Sequence, residues 1–77
     1  MTQGGLTILV KNKIREFRNS AGISQEDLAI ALSVSRQTIY AIESGKYNPS
    51  LELSLLLAKF FGVTIEQIFQ LEEDENE

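Results

Sequence analysis

Residues 24–43, SQEDLAIALSVSRQTIYAIE, constrain this chain more than any other stretch, because they carry two helix starts with a short break between them. Ser24 can accept a backbone N–H of the first turn, and Asp27, three positions on, is where a capping-box acid answers it. Leu28, Ala29 and Leu32 then share one face at helical spacing. A second start follows at Ser35, after Ser33 and Val34, and Ile39 and Ile42 recur on its inner side. At about 100° per residue, Arg36, Gln37, Tyr40, Ala41 and Ser44 share the opposite side. Apart from Ala41, those side chains are hydrogen-bonding groups rather than the Glu/Lys pairs that solvate an ordinary helix. The stretch therefore reads as two short helices joined by a tight turn, the second with a polar face turned outward.

The flanking segments read as further helices. Asn12 is a cap, and Ile14, Phe17, Arg18 and Ala21 line one face before Gly22 stops the helix. An arginine on that face calls for an anion, and Glu43 lies beside Ile39 at the inner side of its own helix, about 40° round from it on the wheel. Two unrelated surface charges are the alternative. Gly45 is a C-cap glycine, and Lys46, Tyr47 and Asn48 form a loop closed by Pro49. All three could reach a phosphate oxygen; an ordinary solvated loop reads equally well from the residues alone.

Ser50 caps a helix over residues 51–61 that is apolar nearly all round. Leu51, Ser54, Leu55, Ala58 and Phe61 make one stripe, and Leu53, Leu56 and Phe60 a second. In a small domain the second stripe needs another element or another subunit to cover it. Gly62 ends this helix, Thr64 caps the next with Gln67 at the capping-box position, and Ile65, Ile68 and Phe69 supply its apolar side. Near the start, residues 6–10 are aliphatic and β-branched. They form a short strand needing a partner edge, with residues 68–71 of the same or a second subunit as the candidate, or else an apolar lead-in to the first helix.

Composition narrows the function. The net charge of −4 argues against nucleic acid until its distribution is considered. Five of the eleven acids fall in the last six residues, leaving seven basic against six acidic side chains in residues 1–71, a net of +1. Such a body can bind DNA with modest non-specific affinity. With neither cysteine nor histidine there is no disulfide, no thiolate site and no evident metal cluster or base-activated nucleophile, so neither an enzyme nor a metal or other cofactor is expected. No apolar run approaches the roughly 20 residues of a membrane span, and the start lacks a signal-peptide pattern; a cytoplasmic protein without membrane contact is expected.

The spacing of Gln25, Ala29, Val34, Ser35, Ile39, Ile42 and Glu43 resembles that of helix-turn-helix regulators of the phage repressor/Cro (xenobiotic-response-element) family, and the likeness extends over residues 12–71, taking in GKYNPSLEL. One departure is Ser33, where the family commonly has Gly; a left-handed conformation there costs a non-Gly residue about 1 kcal/mol. The resemblance implies an all-α, five-helix, lambda-repressor-like domain, here with the option of a two-stranded element from the terminal segments. Its expected limits are an arm or strand over 1–11, the domain over 12–71 and an acidic disordered tail over 72–77. It also implies an ion pair between Arg18 and Glu43.

By the same resemblance the second helix of the pair enters the major groove of double-stranded DNA, placing Arg36 and Gln37 at base edges, with Thr38, Tyr40 and Ala41 beside them. Phosphate contacts are expected from Ser24, Gln25, Ser35, Ser44, Lys46, Tyr47 and Asn48. A module this small needs two copies for useful specificity. A homodimer through Leu53, Leu56, Phe60, Ile65 and Phe69, repressing from a palindromic operator, follows as the expectation. The rival is a protein-interaction or antitoxin-like module that uses the same fold and an unidentified protein partner.

Overall fold

Four hydroxyl caps set where the helices begin. In the computed structural model, which describes residues 8–73, the side chains of Ser24, Ser35, Ser50 and Thr64 accept the backbone N–H of Asp27, Thr38, Leu53 and Gln67 respectively. The elements run β1 (Ile8–Asn12), α1 (Ile14–Ala21), α2 (Gln25–Leu32), α3 (Arg36–Glu43), α4 (Leu51–Phe61), α5 (Ile65–Ile68) and β2 (Phe69–Glu73). Capping boxes close at Ser24/Asp27 and Thr64/Gln67, each satisfying two orphan donors of its helix start. The five helices and the short sheet agree with the expected architecture.

The turn between α2 and α3 is held by Ser33 at φ 60, the one non-Gly residue with positive φ among the described residues. Its N–H reaches the Ile30 carbonyl, and the N–H of Val34 reaches that of Ala29, so the left-handed residue closes the end of α2.

The strands differ in extent from the reading of the sequence. Expected over residues 6–10, the first runs over Ile8–Asn12, and β2 continues to Glu73, past the expected domain limit at 71. They pair antiparallel within one chain, Val10 opposite Leu71 and Asn12 opposite Phe69. The ladder is bounded by the helices: β1 runs up to the start of α1, β2 leaves from the end of α5, and the N–H of Lys13 bonds to the Ile68 carbonyl at 2.9 Å where the two meet. Phe69, placed on the last helix from the sequence, is thus the first residue of β2, and Glu72 and Glu73 are strand residues rather than tail. Leu6 and Thr7, and the remaining acids from Asp74 on, lie outside the described residues.

Six side chains, Ile14, Leu28, Ile39, Ile42, Leu57 and Ile68, are fully buried and draw one residue from each of α1, α2, α4 and α5 and two from α3. Around them pack Phe17, Ile23, Leu32, Val34, Phe61, Val63, Ile65 and Phe69. Asn12 adds a polar tie: its Oδ1 accepts the N–H of Ile14 at 3.1 Å, and its Nδ2 donates to the Ile42 carbonyl at 2.9 Å, fixing the start of α1 to the last turn of α3. The cap position of α1 itself falls on Lys13, whose side chain makes no cap bond, so Asn12, expected as the cap, braces the helix start from one residue before it.

α4 is rotated relative to the expected stripes. Its buried arc is Leu53, Leu57 and Ala58, whereas Leu51 and Leu55, expected inward, are 71% and 52% exposed. Ile65 and Phe69, expected at a subunit contact, are half-buried against the core of their own chain, and Leu53 belongs to that core. Of the expected contact set, only Leu56 and Phe60 stand exposed. A helix apolar on both sides carries no phase in its periodicity, so core packing decides the rotation.

Candidate nucleic-acid interface

The outward side of α3 begins with its first two residues. Arg36, Gln37 and Tyr40 are exposed, and with Gln25 of α2 they line an open concavity at the junction of the two helices. Thr38 is half-buried, its Oγ1 3.0 Å from the Ser35 Oγ, and Ala41 is half-buried on the flank of the same face. Arg36 carries a planar fork of donors matched to two acceptors on one base edge, and Gln37 offers one donor and one acceptor side by side.

Beneath this face lies a charged network that holds α3. The Glu43 side chain is wholly out of solvent and accepts from Arg18 Nε at 2.7 Å, Arg18 Nη2 at 3.2 Å and Gln25 Nε2 at 3.1 Å, with the exposed Arg15 Nε at 3.5 Å. Arg18 also donates to the Ile23 carbonyl at 3.0 Å, which anchors it to the loop between α1 and α2. Burial pushes the Glu43 carboxyl up, but the hydrogen bonds of Arg18 and Gln25 and the Arg18 charge outweigh it and hold it below the usual carboxylate range. The hydrogen bond to Glu43 holds the Arg18 guanidinium above its ordinary value, against desolvation. Both groups stay charged near neutrality, and three helices meet at one carboxylate.

Gln25 occupies a different position from a simple phosphate ligand. Its Nε2 is spent partly on Glu43, and its Oε1 accepts from Arg36 Nη1 at 3.4 Å. The side chain thus links the buried carboxylate to the exposed guanidinium, with one amide N–H left over. Sequence reasoning placed Gln25 at the interface but missed this link; an amide flanked by Glu43 and Arg36 in the fold has no signature in linear spacing.

The remaining expected phosphate ligands surround α3. Ser24 and Ser35 sit at the N-termini of α2 and α3, where unpaired N–H groups favour an anion, although Glu26 and Asp27 oppose one at the first of these. Ser44 donates its hydroxyl to the Ala41 carbonyl at 3.1 Å, so in this rotamer it offers no donor outward. Lys46, Tyr47 and Asn48 are exposed in the loop after α3, and the Lys46 Nζ stands 6.0 Å from the centre of the Tyr40 ring, which draws that cation toward the α3 face. The loop leaves α3 through Gly45 at φ 82, with Gly45 N bonded to the Ile42 carbonyl and Lys46 N to that of Ala41. Among the described residues no group of three or more His, Cys, Asp or Glu could hold a metal ion, and no helix is long and apolar enough to cross a membrane.

Comparison with known proteins matches residues 14–68 to the family model described as helix-turn-helix. The chain is 59% identical over 66 residues to an uncharacterised HTH-type transcriptional regulator of Methanocaldococcus jannaschii, covering 86% of this chain and 100% of that protein. It is 37% identical over 60 residues to the cryptic phage CTXphi transcriptional repressor RstR of Vibrio cholerae, covering 78% of this chain and 54% of the repressor. Among solved structures, the restriction-modification controller protein C.AhdI of Aeromonas hydrophila superposes with a TM-score of 0.65 at 33% identity, over 70% of this chain and 82% of that one.

Proposed function

This chain belongs to the helix-turn-helix family of DNA-binding transcriptional regulators, of the phage repressor/Cro type, and from that footing we propose that it is a repressor that binds a palindromic operator as a homodimer. The observation that carries the reading is the pairing of an exposed Arg36 and Gln37 at the N-terminus of α3 with the buried Arg18–Glu43–Gln25 network that fixes the angle of that helix. A recognition helix must be both free at its tip and rigid at its root.

In this reading α3 enters the major groove tip first. Arg36 takes guanine O6 and N7, and Gln37 takes adenine N6 and N7. Thr38, Tyr40 and Ala41 form the apolar and hydroxyl margin against neighbouring bases and sugars. Ser24, Gln25, Ser35, Lys46, Tyr47 and Asn48 hold the phosphates on either side and set the register without reading sequence. The family is one of DNA-binding regulators rather than enzymes, and the work is binding alone. Two copies on a two-fold axis place half-sites about 34 Å apart. Repression follows from occupying a site that overlaps a promoter, and the likeness to a phage repressor supports it. A cytoplasmic location alongside the chromosome accords with such a role.

The exposed apolar surface of α4 favours a second reading, in which the domain docks on another protein and DNA is secondary. Selection of bound duplexes from a random-sequence pool, with sedimentation on the same sample, separates the two. An enriched palindrome bound by a dimer supports the operator reading; a folded protein that enriches no sequence overturns it.

A further inference from the structure

The exposed half of α4 carries a pattern with a two-fold symmetry of its own. Around the helix, Leu51, Leu55, Lys59, Glu52, Leu56 and Phe60 follow one another across the solvent side, and all six are exposed. The four apolar members are 71%, 52%, 41% and 43% exposed for Leu51, Leu55, Leu56 and Phe60. Glu52 and Lys59 stand at the middle of this arc within about 20° of each other. Neither has an ion-pair partner among the described residues. Seven residues, about 10 Å of helix, separate them, too far for them to pair with each other.

We propose that this face is the subunit contact of the homodimer proposed above, formed by α4 packing antiparallel on α4 of a second copy about a two-fold axis between Leu55 and Leu56. The inference rests on the homodimer reading and deepens it. In that arrangement Leu55 and Leu56 each meet their own counterparts at the axis. Glu52 of each protomer comes level with Lys59 of the other on the midline of the contact, so both unpaired charges find an opposite charge twice over. Leu51 of each comes level with Phe60 of the other on the opposite flank, so the two edge the contact at each end. A parallel arrangement would instead bring Glu52 against Glu52 and Lys59 against Lys59. Like charges there would repel on the midline of the contact, so the charges select the antiparallel orientation. An isologous contact of this kind is self-complementary and closes at two copies. A single helix pair buries less than the usual stable interface, so the dimer is expected to be concentration-dependent rather than permanent.

Charge reversal on the full chain tests the pairing. Dimerisation is followed by sedimentation equilibrium for wild type, Glu52→Lys, Lys59→Glu and the double variant, with circular dichroism as the check on folding; both positions are exposed, so the fold is expected to survive. Each single reversal places two like-charge pairs in the contact and is expected to weaken dimerisation about tenfold or more, and the double variant to recover wild-type affinity to within about threefold. Mixing the two single variants should give a heterodimer preferred over either homodimer. A wild type that dimerises, with both single variants and the double variant dimerising as tightly, overturns this contact while leaving the homodimer reading intact. A wild type that stays monomeric at every concentration overturns both.

Discussion

Arg18 Nε lies 2.7 Å from Glu43 Oε2, and this contact ties the middle of the structure together by joining α1 to the last residue of α3. The carboxylate has no solvent exposure and also holds Gln25 of α2, whose carbonyl oxygen receives Arg36. The orientation of the exposed face therefore depends on a buried acid.

Removing Arg18 alone leaves that acid buried with weaker partners. Arg18→Ala is expected to cost about 3 kcal/mol, the lower end for breaking a buried pair, because Gln25 and Arg15 remain. Adding Glu43→Gln removes the stranded charge and should recover part of the loss. Urea denaturation measures both; a double variant that loses the full sum of the single costs would show that the two residues act independently.

The same carboxyl sets an acid limit. Its folded pKa is depressed below the unfolded value, so the stability it contributes is present above the ordinary carboxylate range near about 4.3 and is lost as pH falls through the folded value. Thermal unfolding between neutral pH and pH 3 should fall more steeply for wild type than for Glu43→Gln. Parallel curves would remove Glu43 from the acid response.

Ser33 holds a left-handed conformation that glycine adopts without penalty. Ser33→Gly is expected to stabilise the protein by up to about 1 kcal/mol, with the flexibility that glycine adds to the unfolded chain reducing the gain. A rise in the denaturation midpoint at unchanged DNA affinity is the expected outcome, and a fall would mean that the Ser33 side chain contributes more than its strain costs.

Lys46 approaches the DNA backbone in the proposed complex without touching a base. Lys46→Ala should weaken cognate and random duplexes alike and lower the slope of log affinity against log salt by about one. Binding titrations at several salt concentrations read this, and an unchanged slope would place Lys46 away from phosphate.

Local chemistry was the legible part of this fold. Ser24, Ser35, Ser50 and Thr64 announce their helices because a cap involves only residues within one turn. The rotation of α4 was not legible, since leucine lies on nearly every side of it and only the packing of Leu53 and Leu57 against the other helices chooses the inner face. The strand limits moved for a similar reason, the Lys13 to Ile68 hydrogen bond being a contact between distant parts of the chain. At the candidate interface, the exposure of Arg36, Gln37 and Tyr40 follows from helical spacing, and the approach of Arg18 to Glu43 is implied by family resemblance rather than by spacing. The inward commitment of Gln25 appears only when α1, α2 and α3 are brought together.

The most direct test of the central claim is the affinity of wild type and Arg36→Ala for the selected operator and for a scrambled duplex of the same length, at one fixed salt concentration. If Arg36 reads a base from the tip of α3, the substitution should weaken operator binding roughly 5- to 150-fold, corresponding to about 1–3 kcal/mol, relax preference at one position of each half-site, and change the scrambled duplex far less. Equal losses on both duplexes would contradict base reading by Arg36 and reduce its role to attraction for the DNA backbone.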